Sequence, residues 1–166
     1  MFAVIEDEET FNIIIQVLTR INFNYTEEDQ NLFCVVYQEN ENARFLIEGL
    51  LRSLNSSNNK ETMYQILKCF YDIMNNTFEC VLYSSDLEAF INLSLKKLES
   101  SCTDTLIYYL FQVLLQITIF DDYFKINYKI TELVELLESY ENCVDVNDEN
   151  RSLASKILEN IKMREK

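Results

Sequence analysis

The residues best typed for acid–base chemistry in this chain are its carboxylates, which cluster as Asp121-Asp122 and as Glu27-Glu28-Asp29. Catalysis of that kind needs a group poised near the working pH, and histidine, the usual supplier, is absent from all 166 residues. No histidine-based triad or proton shuttle is available. Adjacent carboxylates at the starts of predicted helices instead complement the positive end of the helix dipole and stay solvated. The five cysteines, Cys34, Cys69, Cys80, Cys102 and Cys143, are scattered without a Cys-x-x-Cys pair. They read as ordinary buried or reduced thiols of a cytosolic protein, not as a zinc site or a disulfide framework. A single glycine, Gly49, leaves no phosphate-cradling Walker loop. The chain therefore reads as a binding protein, not an enzyme, with no catalytic residue, cofactor or metal expected.

Binding needs surface. Tyrosines such as Tyr64, Tyr108, Tyr123 and Tyr128 offer contact area with a polar tip, and they serve equally well at the edge of a core with the hydroxyl reaching water. Twenty-eight acidic against fourteen basic residues give a net charge of −14, which repels nucleic-acid phosphates and anionic lipid alike. Lys96-Lys97, Lys125 and Lys129 are too few for a nucleic-acid groove. A basic protein surface suits this charge as a partner, and so does plain solubility with no partner role at all. The longest apolar stretch, 106–120, is broken by Gln112 and Gln116 and falls short of the roughly 20 residues that span a bilayer. The N-terminal residues Met1 to Ile5 are short, uncharged and followed by acids, unlike a signal peptide. The expectation is a cytoplasmic protein with no membrane insertion.

The elements that must carry such a surface are helices. Proline is absent and glycine nearly so, which removes the usual makers of hairpins and bulges. Asparagine and serine clusters, 55–59 and 75–77, supply turns and caps instead. Apolar residues recur at three and four positions, as in Phe11, Ile14, Ile15 and Leu18 or Leu46, Leu50, Leu51 and Leu54. This spacing predicts helices at 7–21, 27–38, 41–55, 60–75, 86–99, 103–119, 130–140 and 148–164, with single turns at 77–83 and 121–127. Thr26 and Asp86 stand where N-caps belong.

The pattern also repeats. Shifted by 44 positions, residues 46–73 fall on 90–117 without a gap. Ile47 meets Ile91, Leu51 meets Leu95, Leu54 meets Leu98, Tyr64 meets Tyr108 and Ile73 meets Ile117. A period near this length is that of a HEAT or armadillo unit, in which two antiparallel helices bury their apolar faces only by stacking on neighbouring pairs. The fold class expected is all-α, an armadillo/HEAT-like stack of antiparallel helix pairs, that is, an α-solenoid winding as a right-handed superhelix. One domain spans 1–166, with capping helix pairs at 7–38 and 130–164.

The stretch "CVLYSSDLEAFINLSLKKLE", residues 80–99, resembles the signature of the WISH/DIP leucine-rich family, the Nck-interacting SH3 adaptor of animals and its fungal Ldb/Dip-type relatives. In that signature a Leu-Tyr-Thr-Asn-Asp-Leu-like cap opens a leucine-rich helix. Here the corresponding residues are Leu82, Tyr83, Ser84, Ser85, Asp86 and Leu87, followed by Phe90, Ile91, Leu95, Lys97 and Leu98. Upstream, "MYQILKCFYDIM" resembles the helix before the cap. Downstream, "DTLIYYLFQVLLQI" and "NYKITELVELLESY" are similar to the helices after it, so the resemblance covers roughly 45–140.

The resemblance implies an armadillo-like domain that binds the actin-related protein 2/3 complex and activates it without a mother filament. Linear filaments are then seeded at endocytic or cortical actin sites. The residues it nominates for partner binding are Tyr83, Asp86, Leu87, Lys97, Tyr128 and Lys129. At 166 residues the chain is about half the length the resemblance implies for the helical domain, and it carries no SH3 domain or proline-rich tail. The competing expectation is a generic HEAT or armadillo adaptor that takes a peptide or a partner helix in a groove.

Overall fold

A computed structural model describes residues 8–24, 43–76, 81–100 and 104–164 of the chain. These residues are all-helical, with no strand among them. In chain order the described helices are α1 (Glu8–Phe23), α2 (Ala43–Ser56), α3 (Lys60–Asn75), α4 (Ser84–Glu99), α5 (Asp104–Ile117), α6 (Asp121–Ile126), α7 (Ile130–Asn142) and α8 (Asp148–Arg164). The helix expected at 27–38 and the cap expected at Thr26 lie outside the described residues. So does most of the turn expected at 77–83; its last three residues are not helical. The helices group into two compact units that divide between Val81 and Leu82.

In the first unit, α1 packs on α2 and α3, and α2 packs on α3. Ile15 of α1, Ile47, Leu50 and Leu54 of α2, and Ile66, Leu67, Phe70 and Ile73 of α3 are buried in it. The α2–α3 turn is made without glycine, because Gly49 lies inside α2. Asn59 does the work of a cap: its Oδ1 accepts the amides of Glu61 at 2.9 Å and Thr62 at 3.3 Å, two of the donors that a helix start leaves unpaired. At the other end of α3, Asn76 closes the helix, its Nδ2 donating to the Asp72 carbonyl at 2.7 Å. Asp72 also ties the unit together. Its Oδ2 accepts from Lys68 Nζ at 2.6 Å and from Asn22 Nδ2 of α1 at 2.8 Å.

In the second unit, α8 packs on α5 and α7, while α4 packs on α6 and α7. Phe90, Ile91 and Leu98 of α4, Leu110, Phe111 and Leu114 of α5, Leu133 and Leu137 of α7, and Ala154, Ile157 and Ile161 of α8 are buried in it. Tyr140 stitches three helices. Its hydroxyl donates to the Leu98 carbonyl at 2.8 Å and its ring sits edge-on to Phe111, with centroids 5.3 Å apart. α8 is pinned at both ends: Asn150 Nδ2 donates to the Asp104 carbonyl at 3.0 Å, and Arg164 pairs with Asp121 and lies over the Phe124 ring.

Moved by 44 residues, the last residue of α2 and the first of α3 meet the end of α4 and the start of α5 to within one position. Burial follows the same shift, since Ile47 and Ile91, Leu54 and Leu98, and Ile73 and Ile117 are buried in their respective units.

Candidate protein-docking site

The six residues nominated by the sequence all lie in the second unit. Val81 and Leu82 are buried, and the chain turns at Tyr83, whose extended backbone (φ −74°, ψ 168°) makes it the N-cap of α4. This corrects the expected cap at Asp86. The helix begins two residues earlier, because Ser84 and Ser85 are taken into its first turn. Asp86 becomes the third helical residue and its carboxylate reaches back to accept the Tyr83 amide at 3.3 Å, a half of the capping box. The charge also faces the positive end of α4. Tyr83 is 56% exposed, whereas Leu87 is fully buried and acts as the anchor that holds this turn to the core. Lys97 stands near the far end of α4, half-buried, and its carbonyl accepts the Ser100 hydroxyl at 2.8 Å.

Tyr128 and Lys129 occupy the turn between α6 and α7, and there the backbone is unusual. Asn127 and Lys129 both have φ of 49°, the left-handed region, with Tyr128 between them. Asparagine tolerates that region and ends α6 there, its amide donating to the Tyr123 carbonyl at 3.1 Å. For lysine the conformation is uncommon and is held by its surroundings. The turn is clamped from inside by Tyr123, which is fully buried and donates its hydroxyl to the Tyr128 carbonyl at 3.1 Å. Burial, with a lesser push from the Glu132 carboxylate, raises the Tyr123 phenol well above its ordinary range, so it stays a donor.

From the turn, two side chains meet α4. Lys129 Nζ donates to Asn92 Oδ1 at 2.7 Å, and Asn92 Nδ2 donates to the Tyr128 hydroxyl at 2.9 Å. Lys129 also lies 5.7 Å from the Tyr128 ring centroid, within cation–π range. The structure thus brings Tyr128 and Lys129 together on Asn92, and Tyr83 together with Asp86. Along α4 the two groups are about 9 Å apart, six residues of helical rise.

Sequence reading missed Asn92 and did not single out Tyr123 from the other candidate tyrosines. Asn92 carried a signal, because asparagine is a poor choice inside a helix and an exposed one there invites a side-chain role. Tyr123 carried none that separates it from the other tyrosines. What this surface offers is hydrogen-bond donors on a fixed backbone, which is suited to recognition. Among the described residues no group of Cys, Asp and Glu is arranged to hold a metal ion. A cavity of about 430 Å³ lies elsewhere, on α7 and α8 between Glu141, Ser155, Leu158 and Met163. Among the described residues no helix is long and apolar enough to cross a membrane.

A family model, the SPIN90/Ldb17 leucine-rich domain, matches residues 7–133. The chain belongs to this family. The match bears out the family that the cap sequence resembles, and it takes in all six nominated residues together with Asn92 and Tyr123. It ends within α7, so α8 lies beyond it. The SPIN90/Ldb17 family is associated with actin-related, endocytic adaptor functions. No curated protein and no solved structure matches the chain.

Proposed function

We propose that this protein is a binding regulator of actin assembly that engages the actin-related protein 2/3 complex and favours its active arrangement. The observation that carries this reading is the SPIN90/Ldb17 leucine-rich domain match across 7–133. It acts by contact, without catalysis, in keeping with a chain that has no histidine. A domain that touches the active state more favourably than the inactive one shifts the population toward it, by no more than that difference in affinity. The scaffold is an armadillo-like stack of helix pairs, consistent with the 44-residue shift that superposes α2 and α3 on α4 and α5 in sequence. The contact residues are Tyr83, Asp86, Lys97, Tyr128 and Lys129, with Leu87 as their buried anchor. The place of work is the cytoplasm, at cortical or endocytic actin.

The test is polymerisation of pyrene-labelled actin with purified actin-related protein 2/3 complex and this chain, without seeds or other activators. A lag that shortens only when both are present is the expected result. An unchanged lag together with no capture of the complex in a pull-down overturns the reading and leaves an adaptor with another partner.

A further inference from the structure

We propose that Asn92, Tyr128 and Lys129 form a docking patch for a carboxylate-bearing segment of a partner protein. This rests on the protein-binding reading above, not on the identity of the complex.

The direction of the hydrogen bonds carries it. Asn92 spends both ends of its amide inside the cluster, accepting from Lys129 at 2.7 Å and donating to the Tyr128 hydroxyl at 2.9 Å. The amide cannot be turned the other way, because its NH₂ would then face an ammonium group. A phenol oxygen that accepts keeps its own proton to give, and an ammonium engaged with Asn92 has further N–H bonds to offer. Asn92 is exposed and the two others half-buried, so these donors meet solvent. The group that takes several donors and returns none is a carboxylate, and charge-assisted bonds to it are the strong ones.

The patch is also pre-set. Left-handed backbone at Asn127 and Lys129 brackets Tyr128, and the buried Tyr123 hydroxyl holds the Tyr128 carbonyl. Side chains fixed before binding lose less freedom on binding. The charges nearest in sequence are Glu88 and Lys96, one turn to either side of Asn92, the Lys125–Asp122 ion pair of α6, and Glu132 in the first turn of α7. With Lys129 they balance. Attraction therefore comes from directed hydrogen bonds, not from a broad positive field, and the fitting occupant is a short segment with one or two carboxylates, not a polyanion.

The experiment is a fluorescence-anisotropy titration of the full chain against a short labelled peptide carrying two glutamates, beside its glutamine twin and a single-stranded oligonucleotide. The glutamate peptide should bind and the twin about tenfold more weakly. Lys129→Gln, which removes the charge but keeps a polar tip, and Tyr128→Phe, which keeps the ring, should each weaken binding by about three- to tenfold with an unchanged melting temperature. Asn92→Asp is the most telling variant. It supplies Lys129 with an internal carboxylate, so peptide binding should fall while the thermal midpoint holds or rises; a merely structural role for Asn92 gives no such split. No binding of the glutamate peptide, equal binding of its twin, tighter binding of the oligonucleotide, or indifference to both Lys129→Gln and Tyr128→Phe overturns the proposal. No actin is present, so this result is separable from filament seeding: peptide binding with neither seeding nor capture of the complex removes the actin reading alone, and seeding without peptide binding removes the patch alone.

Discussion

Tyr123, fully buried in the second helical unit, donates its phenol proton to the carbonyl of Tyr128 five residues along the chain, at 3.1 Å. That bond couples the core to the turn that presents Tyr128 and Lys129. Tyr123→Phe keeps the ring but leaves the carbonyl without this donor, and it should cost about 1–2 kcal/mol in urea denaturation. Its pH dependence has a definite sign. An unfolded tyrosine titrates near 10, and in the fold burial first, then Glu132, raises this phenol further. The stabilising contribution is therefore complete below about pH 10 and is lost as pH climbs above it toward the folded value. The urea midpoint of the natural chain should fall more steeply between about pH 10 and pH 12 than that of Tyr123→Phe; parallel slopes would remove Tyr123 from this role.

Asp72 is the joint of the first unit, accepting from Lys68 on its own helix and from Asn22 of α1. The Lys68–Asp72 pair is largely sheltered, with side-chain exposures of 18% and 14%. Removing one member of such a pair leaves the other charge and the buried Asn22 amide short of a partner, which costs more than the pair is worth intact. Asp72→Ala should destabilise by roughly 2–4 kcal/mol, whereas Asp72→Asn, which keeps an oxygen for Asn22, should cost less. Equal losses in the two variants, read from denaturation midpoints, would mean that the charge does not matter.

At the start of α4 two variants should part company. Leu87→Ala removes a fully buried side chain and should cost about 2–5 kcal/mol through lost burial and the cavity left behind. Asp86→Ala removes only the carboxylate that accepts the Tyr83 amide and faces the helix dipole, and should cost about 0.5–1 kcal/mol. A pull-down with the partner complex separates stability from recognition: Asp86→Ala, which stays folded, should weaken capture, and full capture would leave Asp86 a helix cap alone.

Local order was legible in the sequence because local rules decide it. Apolar residues at three and four positions place α3, and Asn59 and Asn76 fix where it starts and stops. The start of α4 was misread by two residues since Ser84-Ser85 looks like a turn, while the extended Tyr83 backbone and the reach of Asp86 admit both serines to the helix. The apolar line of α1 was legible only in part. Ile15 is buried as expected, yet Ile13, Val17 and Ile21, also apolar and at helical spacing, are about half exposed. Composition cannot choose between two apolar lines on one helix; the neighbours choose. The docking patch was half legible. A family resemblance pointed at Tyr128 and Lys129, but the residue that joins them, Asn92, lies 36 and 37 positions away, and nothing local announces a contact at that range. The pairing of α8 with α5 belongs to the same class of information.

That pairing yields the last prediction. The family match stops at 133, whereas α8 sits on α5 and α7 and buries Leu153, Ile157, Leu158 and Ile161. Four large apolar side chains at roughly 1.5–3 kcal/mol each are comparable with the whole net stability of a domain. Arg164 adds an ion pair to Asp121 and a cation over Phe124, so α8 also fastens the segment that leads into the Tyr128 turn. A chain ending before Asp148 should therefore bind a hydrophobic dye, lose its cooperative thermal transition and precipitate at concentrations where the full chain is clear. Opening the apolar faces of α5 and α7 to water is the cause in each case. A truncated chain that remains soluble and melts in one sharp step would instead make α8 an appendage, and would place the boundary of the self-sufficient fold before Asp148.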